Sequence, residues 1–422
     1  MKLASKIALA LFTLCAPLEI HAQSVYAYVG RITADSFLLA WGTAHGGGNT
    51  IGRSSHPIGS AEVEADGRRF PADQRNWVEV TGLGSDRDYP YRVLIDGREV
   101  GSGQVRTFPK TARRLSFFVI GDFGTGKAPQ YEIARVMARE FEKRRNSDSP
   151  IRFVLTTGDN IYSDRLMGNF LAHTGAKDED WRKKFFEPYE PLLREIPFYP
   201  TLGNHDRRTR PGRPDGDLSA YLDNFFFPSN EASAFYSFSF GEFADFFALD
   251  TTVLGTRDPL EASLAESGGQ FRWLTDALRR TSGPWKIAYF HHPPFSGGPN
   301  HEPSYGELAH VVRLFKDSGV QVVFSGHEHN FQLAQRSDVT GETLYVVSGA
   351  GGQVRSGEIY STMSESGIAG TAPQRHFLLV EIDGETLTIT PLAAEPLVVR
   401  DANRNTVPMP IVVNLRSSPK GN

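Results

Sequence analysis

Residues 151–162 read IRFVLTTGDNIY, and this stretch carries the clearest structural signal in the chain. Its first seven residues form a nearly continuous apolar or β-branched run, which is typical of a strand buried on both faces of a sheet. A glycine and Asp159 follow at once, at the place where strands of an open α/β sheet end and ligands bind. The stretch therefore predicts a buried strand with a polar site, including Tyr162, at its carboxyl end.

Four further motifs have a similar design, in which a strand-like run is followed by polar side chains, in three of them beside a glycine. They are DFG at 122–124, GNHD at 203–206, HHP at 291–293 and GHEH at 326–329. Carboxylate, phenolate and imidazole groups suit Fe(III) and Zn(II), and a bridging carboxylate can hold two ions about 3.5–4 Å apart. No single structural demand explains all five motifs, whereas a shared two-metal site does.

The bulk properties describe an ordinary globular protein. A length of 422 residues favours two domains over one small core. The composition is 40% hydrophobic and 22% charged, and the net charge is -4. This charge offers no basis for nucleic acid or an anionic membrane surface as a partner, and we expect neither.

The first 22 residues differ from the rest. Lys2 and Lys6 precede an apolar run that ends at Cys15, and Ala22 is a small residue at a possible cleavage site. This is the layout of a secretory signal peptide, and the run is too short to span a bilayer. We expect a secreted or periplasmic bacterial protein whose mature chain lacks cysteine.

Residues 25–108 are expected to form an all-β sandwich. Short β-rich segments occur at 36–41, 77–80 and 91–95, and clusters of Gly, Asn and Asp separate them. The Asp96-Gly97 pair predicts a hairpin turn. The strand around Trp41 and the run at 83–91 resemble a fibronectin type III domain, and residues 108–111 are interpreted as a linker.

From residue 115 the pattern becomes α/β with layered sheets. One helix is predicted over 129–145, with Ile133, Val136, Met137 and Phe141 on its apolar face, and a second over 306–316. A hairpin is predicted over 234–250. Buried strands are predicted over 115–120, 151–157, 285–290, 320–325 and 344–348.

In this order, the five motifs resemble those of the metallophosphoesterase superfamily, and specifically of the purple acid phosphatases. That family's pattern is Asp-x-Gly, Gly-Asp-x-x-Tyr, Gly-Asn-His-Asp/Glu, Val-x-x-His and Gly-His-x-His. The one departure is Ala288, which stands where valine is usual. The resemblance covers the mature chain. It implies a fibronectin type III-like domain at 25–108, as in the plant-type enzymes, and a calcineurin-like domain at 113–415 with two packed mixed sheets flanked by helices.

The resemblance also implies seven metal ligands shared between two ions. Fe(III) would be held by Asp122, Asp159, Tyr162 and His329. A second ion, Zn, Fe or Mn, would be completed by Asn204, His291 and His327. Asp159 would bridge the two ions. Tyr162 discriminates within the superfamily, because most metallophosphoesterases lack it and because an Fe(III)-bound phenolate is coloured.

The implied activity is that of an acid phosphatase acting on small phosphomonoesters through a metal-bound hydroxide. His205 follows ligand Asn204, and His301 lies ten residues after His291. Either histidine could bind the phosphoryl group or protonate the leaving alkoxide, since histidine titrates near the working pH. His292 is expected to form a hydrogen bond or to pack. Three other histidines are expected to be structural or exposed: His173, His310 and His376.

Several alternatives stay open at this stage. The same site could serve phosphodiester or nucleotide hydrolysis, two divalent ions could fill it without colour, or the chain could be a non-catalytic binding protein. Residues 121–128 also resemble a phosphate-binding loop, although Ala128 replaces the Ser or Thr that would meet Mg(II). Arginines 207, 208, 210 and 213 could guide an anionic substrate or belong to a solvated loop.

Overall fold

The computed structural model describes residues 25–44, 51–162, 166–167, 170–171, 181–210, 213–228, 233–254, 263–281, 283–355 and 357–415. The predicted signal peptide at 1–22, with Cys15, lies outside these residues, and so does His173. The structure likewise does not describe the side chains of the arginines at 208, 210 and 213. Across the described segments, no helix combines the length and apolar character needed to cross a membrane.

The amino-terminal part is all-β, as expected. Its strands are β1 (Val25–Ile32), β2 (Ser36–Thr43), β3 (Ala61–Ala65), β4 (Arg68–Pro71), β5 (Trp77–Thr81), β6 (Asp88–Ile95) and β7 (Arg98–Arg106). They form two antiparallel sheets in the orders β1–β2–β5 and β4–β3–β6–β7. Asp96 and Gly97 both have positive φ, 49° and 73°, between β6 and β7. The predicted hairpin turn is therefore confirmed.

The remaining strands begin at residue 114. They are β8 (Arg114–Ile120), β9 (Ile151–Thr156), β10 (Leu166–Met167), β11 (Phe170–Leu171), β12 (Phe198–Pro200), β13 (Arg208–Arg210), β14 (Arg213–Asp217), β15 (Tyr236–Phe240), β16 (Ala244–Ala248), β17 (Trp285–Tyr289), β18 (Val322–Ser325), β19 (Phe331–Ala334), β20 (Leu344–Ser348), β21 (Ile368–Ala372), β22 (Phe377–Asp383), β23 (Thr386–Leu392) and β24 (Ile411–Asn414). β15 and β16 form the predicted hairpin, which turns at Gly241.

Two of the sheets are large and mixed. The first has the order β12–β9–β8–β22–β23–β24, in which β12, β9 and β8 are parallel and β22 runs antiparallel to β8. The second has the order β15–β16–β17–β18–β20–β19–β21, with β16, β17, β18 and β20 parallel. The expected pair of mixed sheets is confirmed.

Aromatic side chains join the two sheets face to face. Phe117 of β8 lies edge-on to Phe246 of β16, with ring centroids 5.4 Å apart, and also contacts Phe324 of β18. Phe153 of β9 stacks on Phe117 at 5.2 Å. These rings are fully buried. This interface aligns the parallel strands of both sheets so that their carboxyl ends reach one common edge.

Helices flank the sheets. They are α1 (Ala128–Arg144), a π-helical turn (Arg182–Phe186) that continues into α2 (Glu187–Leu193), α3 (Ser219–Asn224), α4 (Gly269–Arg280) and α5 (Tyr305–Ser318). α1 buries Ile133, Met137 and Phe141 as predicted, while Val136 is only partly buried. α4 and α5 pack on the second sheet, where Leu274 and Phe315 share a cluster with strand residues.

The first residues of the segment interpreted as a linker are packed, whereas Lys110 and Thr111 are exposed. Phe108 is buried and contacts Phe153 and Phe240, with ring centroids 6.1 and 5.0 Å apart. The buried Arg152 of β9 donates a hydrogen bond to the Thr107 carbonyl at 2.5 Å and pairs with Asp86 at 3.3 Å. The β-rich part is therefore held against the first mixed sheet by apolar and charged contacts.

Candidate metal centre

The motif residues follow the carboxyl ends of parallel strands in both large sheets. Asp122, Asp159 and Asn204 follow β8, β9 and β12, and His291 and His327 follow β17 and β18. Since β8, β9 and β12 are neighbours, as are β17 and β18, the ligands converge from two sheets. The centre is therefore built across the sheet–sheet interface.

Three of these residues have left-handed backbone conformations. The φ angles are 55° at Asp122, 50° at Asp159 and 72° at His327. For residues other than glycine such angles cost about 1–3 kcal/mol each and persist where the surroundings impose them. Here the His327 N–H donates to Asp122 Oδ2 at 3.0 Å, and the His205 N–H donates to Asp159 Oδ1 at 2.8 Å. The turns are thus shaped by hydrogen bonds to the same carboxylates that face the centre.

The first ligand cluster contains Asp122, Asp159 and His329, whose ligand atoms lie within 4.8 Å of one another. All three side chains are buried. The Tyr162 hydroxyl enters this cluster, 3.1 Å from Asp122 Oδ1 and 3.0 Å from His329 Nε2. The Tyr162 N–H donates to the Gly124 carbonyl at 2.8 Å. The turn after β8 therefore holds the tyrosine that follows β9.

The second cluster is centred on His291, which is fully buried. Its Nδ1 donates to the Thr157 carbonyl at 2.8 Å, so a neutral ring presents a lone pair at Nε2. That Nε2 lies 3.0 Å from Asn204 Oδ1, 3.1 Å from His327 Nδ1 and 3.5 Å from Asp159 Oδ1. Asp159 therefore contacts both clusters.

The charge states differ between the two carboxylates. Burial strongly raises the pKa of Asp122, with a further contribution from Asp159. Burial also acts to raise the pKa of Asp159, but His291, His205 and the N–H of His205 hold it at about 2. The lowered pKa favours the ionised form of Asp159, which places a negative charge between the two clusters.

The donor set fits metal ions. Burial lowers the pKa of His327, and burial with the Arg355 charge lowers that of His329 to about 4, so both imidazoles are neutral near pH 6. Neutral imidazole, carboxylate and amide oxygen are all ligand forms. In its neutral form His291 would turn its Nε2 lone pair toward Asn204 Oδ1 and Asp159 Oδ1, and a cation between these acceptors would remove their repulsion.

Asp206 ties the two ligand turns together. Its carboxylate accepts hydrogen bonds from the Gly203 N–H at 2.8 Å, the Ile161 N–H at 3.1 Å, and the backbone and side-chain amides of Asn160 at 3.1 and 2.8 Å. Burial and the charge of Asp159 raise the pKa of Asp206 to about 8, whereas these donors act to lower it. This buried residue fixes the Asn204 turn against the Asp159 turn.

His205 and His301, the two predicted catalytic histidines, both lie at the centre. The His205 ring lies 4.6 Å from the Tyr162 ring. The His301 ring stacks on the His327 ring, with centroids 3.9 Å apart. Burial and the Arg355 charge lower the pKa of His301 to about 4. The histidines therefore approach from the two clusters, one beside Tyr162 and one beside His327.

Two further histidines, His292 and His376, form hydrogen bonds. His292 forms a hydrogen bond between Nδ1 and Thr251 Oγ1 at 3.0 Å, as expected, although its position beside His291 and His327 also allows it to bind a metal. The buried His376 contacts Ser348 Oγ at 3.1 Å and the Gln374 carbonyl at 2.8 Å, which is a structural role.

Arg207 differs from both interpretations of the arginine-rich loop. It is buried and pairs with Asp250 at 2.8 Å. It therefore does not belong to a solvated loop, and its charge is already matched by a carboxylate. The pair connects the loop after Asn204 to the end of β16.

Two residues beside the centre were not predicted from the sequence. Arg355 donates through Nη1 to His301 Nε2 at 2.7 Å. The buried Glu328, the variable residue of the GHEH motif, accepts the N–H groups of Asn300 and His301 at 3.1 and 2.5 Å. A possible sequence signal for Arg355 is the run SGAGG at 348–352, which follows a buried strand as the other motifs do.

Comparison with known proteins agrees with this architecture. Residues 115–331 match the family model of the calcineurin-like phosphoesterases. This segment contains every predicted metal ligand and both predicted catalytic histidines.

Relatives similar in sequence are named as acid phosphatases. Purple acid phosphatase 17 of Arabidopsis thaliana is 28% identical over 282 residues, which are 62% of this chain and 76% of the relative. Tartrate-resistant acid phosphatase type 5 of Homo sapiens is 28% identical over 308 residues, or 66% of this chain and 87% of the relative.

Solved structures share the fold at lower identity. Purple acid phosphatase PPD1 from yellow lupin superposes with a TM-score of 0.65 at 16% identity, covering 93% of this chain and 74% of that one. PhoD superposes with a TM-score of 0.61 at 15% identity, covering 94% and 93%. With the match over 115–331 and two clusters of ligands at the expected strand ends, this chain belongs to the calcineurin-like phosphoesterase family.

Proposed function

We propose that the protein is a binuclear acid phosphatase of the purple acid type that hydrolyses phosphomonoesters. One observation carries this proposal: the Tyr162 hydroxyl lies between Asp122 and His329, in a cluster that Asp159 joins to a second cluster. A general two-metal phosphoesterase has no need of a phenol at that place. The names of the sequence relatives support the same activity.

The ligands divide between the ions according to their contacts. Asp122, Tyr162 and His329 would hold Fe(III), with Asp159 as the bridge. Asn204, His291 and His327 would complete the second site, for Zn, Fe or Mn. When bound, such an ion pair supplies Lewis acidity and a water nucleophile of lowered pKa. The chain's own part is to hold the ligands in place and to contact the phosphoryl group.

His205 and His301 are proposed to perform that second task. His205 is placed by its N–H bond to Asp159 and by its ring contact with Tyr162. His301 is placed by Glu328, which accepts its N–H, and by stacking on His327. In this arrangement His301 Nε2 accepts from Arg355 and is unprotonated. His301 can therefore accept a proton at Nε2 only after Arg355 releases it, and His205 is the alternative proton donor.

A visible spectrum with metal analysis is the direct test. The purified protein should contain two metal ions, show a broad visible band and hydrolyse a generic aryl phosphate at acid pH. Tyr162→Phe should remove the band. Tyr345→Phe is the matched control, because the buried Tyr345 hydroxyl has no hydrogen-bond partner in the described part of the chain. Absence of iron and colour in the wild-type protein would reject the iron assignment.

The substrate class is tested separately. Asp159→Ala should abolish metal binding and turnover together, because both clusters lose a shared ligand. An aryl phosphomonoester should be hydrolysed faster than the corresponding diester. Faster hydrolysis of the diester would instead identify a phosphodiesterase, and no hydrolysis of either by the metal-loaded protein would indicate a binding protein.

We also propose the domain division 25–108 and 113–415, with a fibronectin type III-like amino-terminal domain. The support is the pair of antiparallel sheets with three and four strands. Export through cleavage of residues 1–22 is proposed from their sequence alone. Expression of the full chain in a bacterium, followed by fractionation and amino-terminal mass spectrometry, tests the cleavage; an intact amino terminus in the cytoplasm would contradict it.

A further inference from the structure

We propose that Arg355 binds the phosphoryl group of the substrate and gives the site its preference for monoesters over diesters; this rests on the proposed phosphatase function. Arg355 lies on the loop after β20, outside the five motifs that supply the predicted ligands. Its Nη1 is 2.7 Å from His301 Nε2, and the His301 ring stacks on the His327 ring. The guanidinium is thus one side chain removed from a predicted metal ligand.

The position of this loop is imposed by close backbone contacts. The Gly351 N–H donates to the Gly121 carbonyl at 2.9 Å, and the Gly352 N–H donates to the Asp122 carbonyl at 3.0 Å. A Cβ at Gly351 would lie 2.7 Å from the Gly121 oxygen, and one at Gly352 would lie 2.3 Å from the Phe123 oxygen. The loop therefore rests on the turn that carries Asp122, and it brings Arg355 to the centre from β20.

In the part of the chain that the structure describes, the charge of Arg355 is not matched by a nearby carboxylate. Over the described ranges, no acidic group forms an ion pair with it. Glu358, three residues later, pairs with Arg404 at 2.8 Å. Glu328 Oε1 accepts the N–H groups of Asn300 and His301. A half-buried guanidinium without a counter-charge beside a phosphoesterase centre is suited to an anionic ligand.

The positive charge of Arg355 affects groups at both ligand clusters. The Arg355 charge contributes to the lowered pKa of His329 in the first cluster and of His301 beside the second, and it acts to lower the pKa of Tyr162 against the effect of burial. An anion held between the clusters would therefore lie within the field of the guanidinium. The planar guanidinium can donate two parallel hydrogen bonds to phosphoryl oxygens, which an ammonium group cannot do in the same geometry.

The preference for monoesters follows from the number of free oxygens. A phosphomonoester dianion has three non-bridging oxygens, whereas a diester monoanion has two. The monoester therefore offers one more oxygen and one more negative charge than the diester. A cationic donor beside the metal site, such as Arg355, can bind that oxygen. The loss of Arg355 should accordingly weaken monoester binding more than diester binding.

The test compares Arg355→Gln, Arg355→Lys and the control Arg313→Gln. Arg313 is an exposed arginine on α5 and pairs with Glu266 at 2.7 Å. Its replacement removes one positive charge from the protein without changing a residue of the metal centre. For each protein we would measure metal content, thermal unfolding, kcat and KM on an aryl monoester and diester, and the affinity for inorganic phosphate by calorimetry.

Arg355→Gln should lower both phosphate affinity and kcat/KM on the monoester by about 10- to 100-fold, since hydrogen bonds to charged groups are of that strength. The loss of kcat/KM on the diester should be smaller, and metal content and thermal unfolding should be unchanged. The phosphate affinity of Arg355→Lys should lie between those of the wild-type protein and Arg355→Gln. Unchanged phosphate affinity with intact metal content, or equal losses on both esters, would overturn the proposal.

If Arg355→Gln binds less metal, the phosphate affinity of Arg355→Lys becomes the deciding measurement. Wild-type affinity in the lysine variant would contradict the need for the planar guanidinium. Calorimetry does not depend on turnover. A wild-type protein that bound phosphate but hydrolysed nothing would therefore reject the proposed function while still testing Arg355.

Discussion

Gly203 is the place where the Asn204 turn approaches the Asp159 turn most closely. A Cβ added at Gly203 would lie 2.2 Å from the backbone nitrogen of Asp159 and 2.2 Å from its Oδ1. Both atoms belong to the residue that joins the two ligand clusters. We therefore expect Gly203→Ala to separate Asp159 from Asn204, although no ligand is itself replaced.

The short contacts of this added Cβ set the size of the effect. Ordinary van der Waals contact begins at 3.4 Å, so one of the two turns must move by about 1.2 Å. Strain of this kind in a packed interior costs about 1–3 kcal/mol of the free energy of unfolding. A displacement of about 1 Å at a reacting centre can lower the rate about 100-fold. We expect the chain to fold and to lose most of its activity.

The assay measures metal content, kcat on an aryl phosphate and urea-induced unfolding of the same preparations. Gly306→Ala is the matched control, because a Cβ at Gly306 meets no atom within 4 Å and the residue lies in the first turn of α5. That control should be active and stabilised by up to about 1 kcal/mol. Wild-type metal content and rate in Gly203→Ala would show that the two turns need not be held at this separation.

At pH 9, where a pKa of about 8 leaves Asp206 ionised, Asp206→Asn should lower the free energy of unfolding by about 1–3 kcal/mol in urea denaturation. The reason is that an amide NH2 replaces an acceptor and leaves at least one of four buried donors unpaired. A change below about 0.5 kcal/mol, typical of surface substitutions, would contradict this. Asp250→Ala should cost about 3–5 kcal/mol by the same measurement, because it removes the carboxylate from the buried pair with Arg207. Chelation of the metals should lower the Tm of the wild-type protein. An ion present at 1,000 times its Kd contributes about 4 kcal/mol to the free energy of unfolding, and chelation removes this contribution. The same treatment should leave the Tm of Asp159→Ala unchanged. A Tm shift in that variant equal to the wild-type shift would mean that the chelator does not act through this metal site.

Local sequence patterns predicted two helices of the α/β part, α1 and α5, and the seven strands β8, β9, β15, β16, β17, β18 and β20. Other elements, such as β22 and α4, were not predicted. β20 spans the predicted residues 344–348, and α1 is displaced from its predicted range by one residue. The larger error is at α5 and β18. The helix continues to Ser318, Gly319 ends it at φ 67°, and the Val320 N–H donates to the Phe315 carbonyl at 3.0 Å. Val320 is therefore part of the helix cap, and the strand begins at Val322 instead.

The support around the ligands was less predictable. Glu328 occupies a variable position of its motif, and nothing in the local sequence indicates that it accepts the N–H groups of residues 300 and 301. Asp206 belongs to a motif, but its four donors come from two different turns. The left-handed φ at Asp122, Asp159 and His327 is likewise imposed by contacts between segments that are far apart in sequence.

The sequence by itself determined the ligand types and the strands that carry them, because a buried strand and the turn after it are encoded within about ten consecutive residues. Only the tertiary structure decided which side chains meet. The face-to-face packing of Phe117 on Phe246 brings the strand ends of two sheets together, so that Tyr162, which follows β9 of the first sheet, reaches His329, which follows β18 of the second. Such contacts depend on the relative placement of whole sheets, and short-range patterns carry no information about that placement.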